Sequence, residues 1–394
     1  MLVAGGDDLP EGGQPDQDGN HERGDVHMKI RNTLFASASI AGLLAAPVAQ
    51  AQSMDEIVAA AKEEGMLTTI ALPHSWCGYG DIIASFKAKY PEITVNELNP
   101  DAGSADEIEA VKANKDNKGP QAPDVLDVGL AFGPSAQAEG LLSPYKVSTW
   151  DSIPAEIKDA DGHWAGAYYG VMGFVVNTDL VPNPPQDWAD LLKPEYAGMV
   201  ALAGDPRASN QAILAVLAAG LSTGAAAGEA SGQAGLEFFK QLNDAGNFVP
   251  VIGKAGTLAQ GTTPIVIAWD FNGQSWAREL AGNPPVEIVI PKSTVAGLYV
   301  QAISAYAPQP NAAKLWMEHI FSDEGQLGYI KGGCTTARFG ELVAAGKVPQ
   351  EMLDAMPPAE AYETAVFPTV AEQDANKAAV TAGWDATVGA NVAE

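Results

Sequence analysis

The sequence predicts an α/β protein of two doubly wound lobes, joined by extended crossover strands and separated by a cleft. Three observations carry this. Short β-branched or apolar runs alternate with amphipathic helical stretches, the pattern of parallel strands with helices on their faces. Two long extended segments, Trp164 to Asn177 and Gly297 to Ser304, are suited to passing between lobes. The run Ile265-Val266-Ile267-Ala268-Trp269 reads as a buried strand. It ends on Trp269 and Asp270, where open α/β sheets place residues that meet a ligand.

Before the first lobe the chain carries two segments of another kind. Residues 1–27 are polar, rich in Gly and Asp and without apolar periodicity, as in an unstructured leader or a segment upstream of the true start. From Met28, basic Lys29 and Arg31 precede the apolar and small stretch Leu34 to Ala46. Ala49-Gln50-Ala51 then fits a small-x-small cleavage site. Residues 28–51 therefore read as a secretory signal peptide, its apolar run shorter than the roughly 20 residues that span a bilayer. Cleavage after Ala51 would leave Gln52 at the N-terminus of a soluble exported protein, with no cysteine nearby for a lipid tether.

The expected lobes are 52–170 and 171–296, with 297–394 forming the return crossover and C-terminal helices that pack mainly on the first lobe. Ile57, Val58 and Ala61 give Met54 to Glu64 helical spacing, with Gly65 as C-cap. Leu67 to Leu72 is a strand. The loop Pro73 to Gly80 follows, and Asp81 is placed to cap a helix whose apolar stripe is Ile82, Ile83, Phe86 and Tyr90. Ile93 to Val95 and Val125 to Val128 are strands on either side of a helix from Ala105 to Asn114. A short helix then ends at Gly140. Val200 to Leu202 leads to a long Ala-rich helix through Ala219, with Ser209 and Asn210 at its start as caps or as contacts for an anionic group. A Gly/Ala-rich interval from Gly224 to Gly235 separates that helix from another over Leu236 to Ala245. Gly273 would release the Trp269–Asp270 turn into a helix, and Val286 to Pro291 is a further strand. Lys314 to Phe321 is helical, and so is the acidic remainder.

Composition narrows the function. The 394 residues carry 49 acidic against 22 basic side chains, a net charge of −27. That excludes nucleic acid and anionic membrane as natural partners and mildly favours cationic ligands. There is no phosphate-binding Gly-rich loop, nucleophile elbow or zincin motif. His74, His163 and His319 are isolated, so neither a metal site nor a cofactor is expected. Cys77 and Cys334 are the only cysteines, and in an oxidising compartment they suggest one disulfide. If Cys77 is instead free, His74 on the same loop could make it a nucleophile. Trp269 and Asp270 could hold a cation by indole face and carboxylate, or could be a packed ring and a helix cap.

Several stretches carry a resemblance to a known family. They are Ser75-Trp76-Cys77-Gly78-Tyr79 with the helix ending at Tyr90-Pro91, Pro123 to Val128, Asp190-Leu191-Leu192 through Gly198, and Asn311-Ala312-Ala313-Lys314-Leu315 through Gln326. Together they resemble the periplasmic solute-binding proteins of ABC importers, within the polyamine, ferric-iron, thiamine and aminophosphonate subgroup. The resemblance implies a type II periplasmic binding fold that closes on a solute by hinge bending and delivers it to an ABC permease, acting as a monomer in the periplasm and not as an enzyme. By position it implies that Trp76, Tyr79, Trp269 and Asp270 face an amine; Arg207, Ser209, Asn210 and Gln301, with Tyr299 beside Gln301, are the candidates for the other end of the solute. Gln301 and the Ala208-Ser209-Asn210 turn stand where polyamine binders carry carboxylates. A ferric or anionic solute, an exported enzyme and a sensory binding protein are the alternative readings. Tyr168 and Tyr169 lie on the crossover, away from the adjacent tyrosines of ferric binders.

Overall fold

The computed structural model of the chain describes residues 52–356 and 363–393; the leader and signal peptide expected over 1–51 lie outside them. The first helix, α1 (Met54–Glu64), is closed at its start by a reciprocal box in which Ser53 and Glu56 each accept from the other's backbone N–H. Gly65, at φ 67°, closes its end. Strand β1 (Met66–Ile70) follows, then α2 (Tyr79–Lys89), and β2 (Thr94–Leu98) lies parallel to β1. Helix α2 begins before the predicted cap: Gly78 turns the chain at φ 80°, and Asp81 instead pairs with Lys331 at 2.6 Å. Next come α3 (Ser104–Ala113), β3 (Val125–Gly129), α4 (Phe132–Ala138) and β4 (Leu142–Ser143).

The long strand β5 (Ala165–Asn177) connects the two halves of the fold, as its predicted length requires. Beyond it lie β6 (Val200–Leu202), α5 (Asn210–Ser222), α6 (Glu229–Asp244), α7 (Ala255–Ala259), β7 (Ile265–Trp269) and α8 (Asp270–Leu280). Strand β7 runs parallel to β6 and antiparallel to β5, so the sheet is mixed where a parallel one was expected. Helix α8 starts directly at Asp270, ahead of the predicted release at Gly273. After β8 (Val286–Val289), the second long strand, β9 (Thr294–Ser304), pairs antiparallel with both β3 and the first half of β5. The second half of β5 pairs with β7 and β8. These two strands therefore carry the sheet across the molecule, each belonging to both halves.

Helices α9 (Pro310–Phe321) and α10 (Asp323–Lys331) pack on α1 and α2. The Glu64 carboxylate accepts from the backbone of Asn311 and Ala312, tying the end of α1 to the start of α9. Strand β10 (Thr335–Thr336), α11 (Phe339–Ala344), α12 (Gln350–Ala355), β11 (Ala365–Val366) and α13 (Val370–Thr387) complete the chain. The last helix differs from the expected packing on the first lobe: it lies against α6 and α5.

The Gly/Ala-rich interval also differs from its expected role as a separator, because α6 begins inside it at Glu229. Glycines on the facing sides of α5 and α6 serve close helix packing. A Cβ at Gly235 would sit 2.0 Å from the Val216 carbonyl oxygen, and one at Gly220 would sit 1.9 Å from that of Ser231. Backbone contacts cannot swing aside as side chains do. Gly235→Ala is therefore expected to force α5 and α6 apart and cost about 1–3 kcal/mol, read as a lower denaturant midpoint at unchanged slope. An unchanged midpoint would remove this account of the glycines.

Candidate functional site

Loops leaving the carboxyl ends of β1, β2, β6 and β7 surround a cavity of about 420 Å³. This is where α/β sheets present ligand-binding groups. Trp76 enters from the β1–α2 loop, Glu107 from α3, Asp127 from β3, Ser209 and Asn210 from the start of α5, and Tyr299 from β9. The walls are acidic, also carrying Asp101, Asp106, Asp205 and Glu279, and the Lys254 ammonium among them lies 2.9 Å from Asp101. Some of these carboxylates are already engaged. Asp205 lies 2.8 Å from Arg207, and Asp106 accepts from the Gly103 backbone at the start of α3.

Glu107 and Asp127 are different. Glu107 is 1% exposed and accepts a 2.9 Å hydrogen bond from the Asp127 backbone N–H. Asp127 is 4% exposed, with Tyr168 donating to one carboxylate oxygen and Gln301 donating to the other at 2.6 Å. Burial pushes the Asp127 carboxyl up to about 7 against the pull of the hydrogen bonds from Tyr168, Tyr79 and Gln301. Burial, and then the neighbouring Asp127 charge, push Glu107 well above the usual carboxylate range.

Asp127 is the centre of a hydrogen-bond network that gathers several predicted site residues. The Trp76 indole donates to the Tyr168 hydroxyl at 2.7 Å, and Tyr168 donates on to Asp127. Gln301 also donates to the Tyr79 hydroxyl, which accepts from Tyr329 as well, both at 3.1 Å. Trp76 and Tyr299 meet edge to face at 5.4 Å and present an aromatic wall to the cavity. Asn210, buried in the same wall, stands beside the Tyr299 hydroxyl, and its amide nitrogen has no partner in bonding geometry. Tyr79 and Gln301 thus lie one layer behind the cavity, orienting Asp127.

The other predicted residues are placed differently. Trp269 is wholly buried at the end of β7, donates to the Tyr299 hydroxyl at 3.3 Å, and occupies the space left by Gly297, where a Cβ would come within 2.2 Å of the indole. Asp270 is 2% exposed and accepts from the Val171 backbone N–H at 2.9 Å, which fixes the start of α8 against the middle of β5. Neither residue is on the cavity wall; the carboxylates that are, Glu107 and Asp127, were not anticipated. Arg207 turns away from the cavity to Asp205, Asp385 and Asn391. The structure joins Cys77 and Cys334 as a disulfide, their Cα atoms 5.6 Å apart, so no Cys77 thiol is left for His74, which lies 2.6 Å from Glu97. Tyr168 faces the Asp127 network while Tyr169 packs on Phe367, as neighbours on a strand must point to opposite faces. Among the described residues, no group of three or more His, Cys, Asp or Glu side chains is arranged to hold a metal ion.

No curated protein matches the chain in sequence. The chain is similar in structure to the periplasmic binding protein AfuA of Actinobacillus pleuropneumoniae with exogenous fructose-6-phosphate bound. The two are 22% identical, with a TM-score of 0.61 over 82% of this chain and 98% of that one. It is also similar to a putative spermidine/putrescine ABC transporter protein of Listeria monocytogenes, at 16% identity and TM-score 0.61 over 82% and 99%. A third similar structure is iron-bound HitA of Pseudomonas aeruginosa, at 15% identity and TM-score 0.60 over 82% and 99%. These likenesses establish the type II periplasmic binding fold, and the ligands named for the three proteins differ. A family profile described as bacterial extracellular solute-binding protein matches residues 121–336, more than half of the chain, and the protein belongs to that family.

Proposed function

We propose that the protein captures a small amine-bearing solute in the periplasm and hands it to an ABC permease of the inner membrane, after export by a signal peptide over 28–51. The observation that carries the amine is the pairing of two buried carboxylates, Glu107 and Asp127, with the aromatic wall of Trp76 and Tyr299 in one cavity. The other charges that act on Glu107 come from Asp127 and Asp106, both acidic. A buried carboxylate is costly without a cationic partner, and an ammonium supplies one. The indole face of Trp76 adds cation–π attraction. A solute with a phosphate or carboxylate end would meet the starts of α3 and α5 but also Asp101, Asp106 and Asp205 on the same walls. Capture would proceed by closing of the two halves about β5 and β9, with the closed form held by contacts from both.

A melting screen against amines, sugar phosphates, amino acids and ferric salts tests this. An amine at 100 times its dissociation constant adds about 2.7 kcal/mol of stability. Trp76→Ala is expected to weaken that same amine by about tenfold, the value of a partly desolvated cation–π contact. Stabilisation by phosphates or iron alone, with amines inert, would overturn the reading.

A further inference from the structure

Glu107 and Asp127 are adjacent in space but reach the cavity from different elements. Glu107 lies on the buried stripe of α3 with Ser104, Ile108 and Val111, and Asp127 lies inside the apolar strand β3. The groups packed around them are the hydroxyls of Tyr79, Tyr168, Tyr299 and Tyr329, the amides of Gln301 and Asn210, and the carboxylate of Asp106. Lys254 on the far wall is held by Asp101. The hydroxyls and amides can orient a carboxylate, but none brings a positive charge to balance two. Two carboxylates this close and this dry are poorly placed to ionise together, by the same repulsion that makes buried acid pairs share protons. Asn210, 3% exposed and lining the same cavity, keeps an amide N–H beside the Tyr299 hydroxyl without a partner in bonding geometry, a donor for an acceptor atom of the solute and not for its ammonium.

We propose that solute capture is an exchange of cations at this pair: the empty site holds a proton on Glu107 or Asp127, and the solute's ammonium group replaces it. The ammonium brings one positive charge in, the acid loses one proton to solvent through the open cavity, and both carboxylates end ionised around the bound nitrogen. The inference rests on the amine reading above and adds its regulation. It also narrows the solute to one with a protonated primary or secondary amine, because a quaternary head group has no N–H to give the carboxylate oxygens. Affinity then rises with pH, and solute is released more readily in acid.

Titration calorimetry with putrescine as the probe, on the purified protein, tests this. The apparent dissociation constant is expected to fall about tenfold between about pH 6 and about pH 8, as one proton must leave for each cation bound. Heats in phosphate and Tris should differ by the ionisation enthalpy of the buffer for about one proton released. Glu107→Gln keeps the shape of the side chain and its acceptor for the Asp127 N–H. It should fold as the parent does, bind putrescine at least about tenfold more weakly at pH 8, and lose most of the pH dependence. Equal affinity at both pH values with no buffer dependence would overturn the exchange and leave the amine reading intact. Full wild-type behaviour of Glu107→Gln would overturn the role of the pair. If putrescine, spermidine and methylammonium all fail to bind at up to about 50 mM at pH 8, the amine reading itself falls, and the exchange with it.

Discussion

Replacing Cys77 and Cys334 together by serine is expected to lower the unfolding free energy by about 2–5 kcal/mol and to weaken solute capture as well. The bridge closes a loop of 257 residues, and long loops are those whose closure most restricts the unfolded chain. Its local geometry explains the second effect. Cys77 and Gly78 both take left-handed backbone conformations, at φ 50° and φ 80°, immediately after Trp76. Gly332 lies against that turn so tightly that a Cβ there would come 2.2 Å from the Cys77 carbonyl carbon. The bridge thus holds a turn that a non-glycine residue such as Cys77 resists, and the indole that walls the cavity sits at its edge. Without the bridge, the turn is free to relax and Trp76 loses its fixed place beside Tyr168 and Tyr299. Thermal unfolding of the double variant checks the first effect, and its affinity for an amine at a temperature where it remains folded checks the second. A melting point equal to that of the wild type, or full affinity in the presence of a thiol reductant, would show that the packing of α10 on α2 is sufficient alone.

The fold was largely legible because its signals are local. Gly65 and Pro91 stop helices, short apolar or β-branched runs mark strands, and the length of 165–177 betrays a crossover before any contact is known. Parallel and antiparallel pairing was not legible, since β7 shows the same apolar run whichever neighbour it takes. The lining of the candidate site was half legible. Trp76, Ser209, Asn210 and Tyr299 do line the cavity, and Tyr79 and Gln301 stand directly behind it. Trp269 and Asp270 looked like an anchor because they end a strand, but strand ends also need rings to fill space and carboxylates to hold backbone, and here they do that. Glu107 and Asp127 carried a signal of another kind. An acid in the middle of the apolar run Val125-Leu126-Asp127-Val128, and another on the i, i+3, i+4 stripe of α3, break the hydrophobic pattern where burial is expected. Such breaks point to candidate sites without any knowledge of topology.

The same buried acids set how the empty protein responds to pH, and the effect should be large. Asp124 is fully buried, accepts from the backbone of Thr68 and Gln309, and is pushed up to about 7 chiefly by that burial. Asp127 is pushed to about 7 by the same cause. A carboxyl whose pKa is higher folded than unfolded holds its proton more tightly in the native state. Its contribution is complete below the unfolded value near 4 and is lost as pH rises toward 7, at up to about 3–4 kcal/mol for each group. Other acids act in the opposite sense. Asp190 is held below the usual range by Lys193, and Asp323 by Lys347, so their contributions are lost only as pH falls below about 4. The empty protein should therefore be most stable near about pH 5 and weaken toward about pH 7, and the self-repulsion of its acidic surface, which grows as pH rises, acts in the same direction. Melting of the empty protein across this range measures the slope. Asp124→Asn removes its share of that slope whatever it costs in hydrogen bonding at every pH, and Asp127→Asn removes the other. A bound amine should flatten the Asp127 share alone, because the ammonium lets that carboxylate ionise while Asp124, linking β1 to the segment before α9, remains out of its reach. A stability that rises from pH 5 to pH 8 in the empty wild-type protein would mean that both acids are already ionised in the native state, and the proposed exchange at Asp127 would lose its basis.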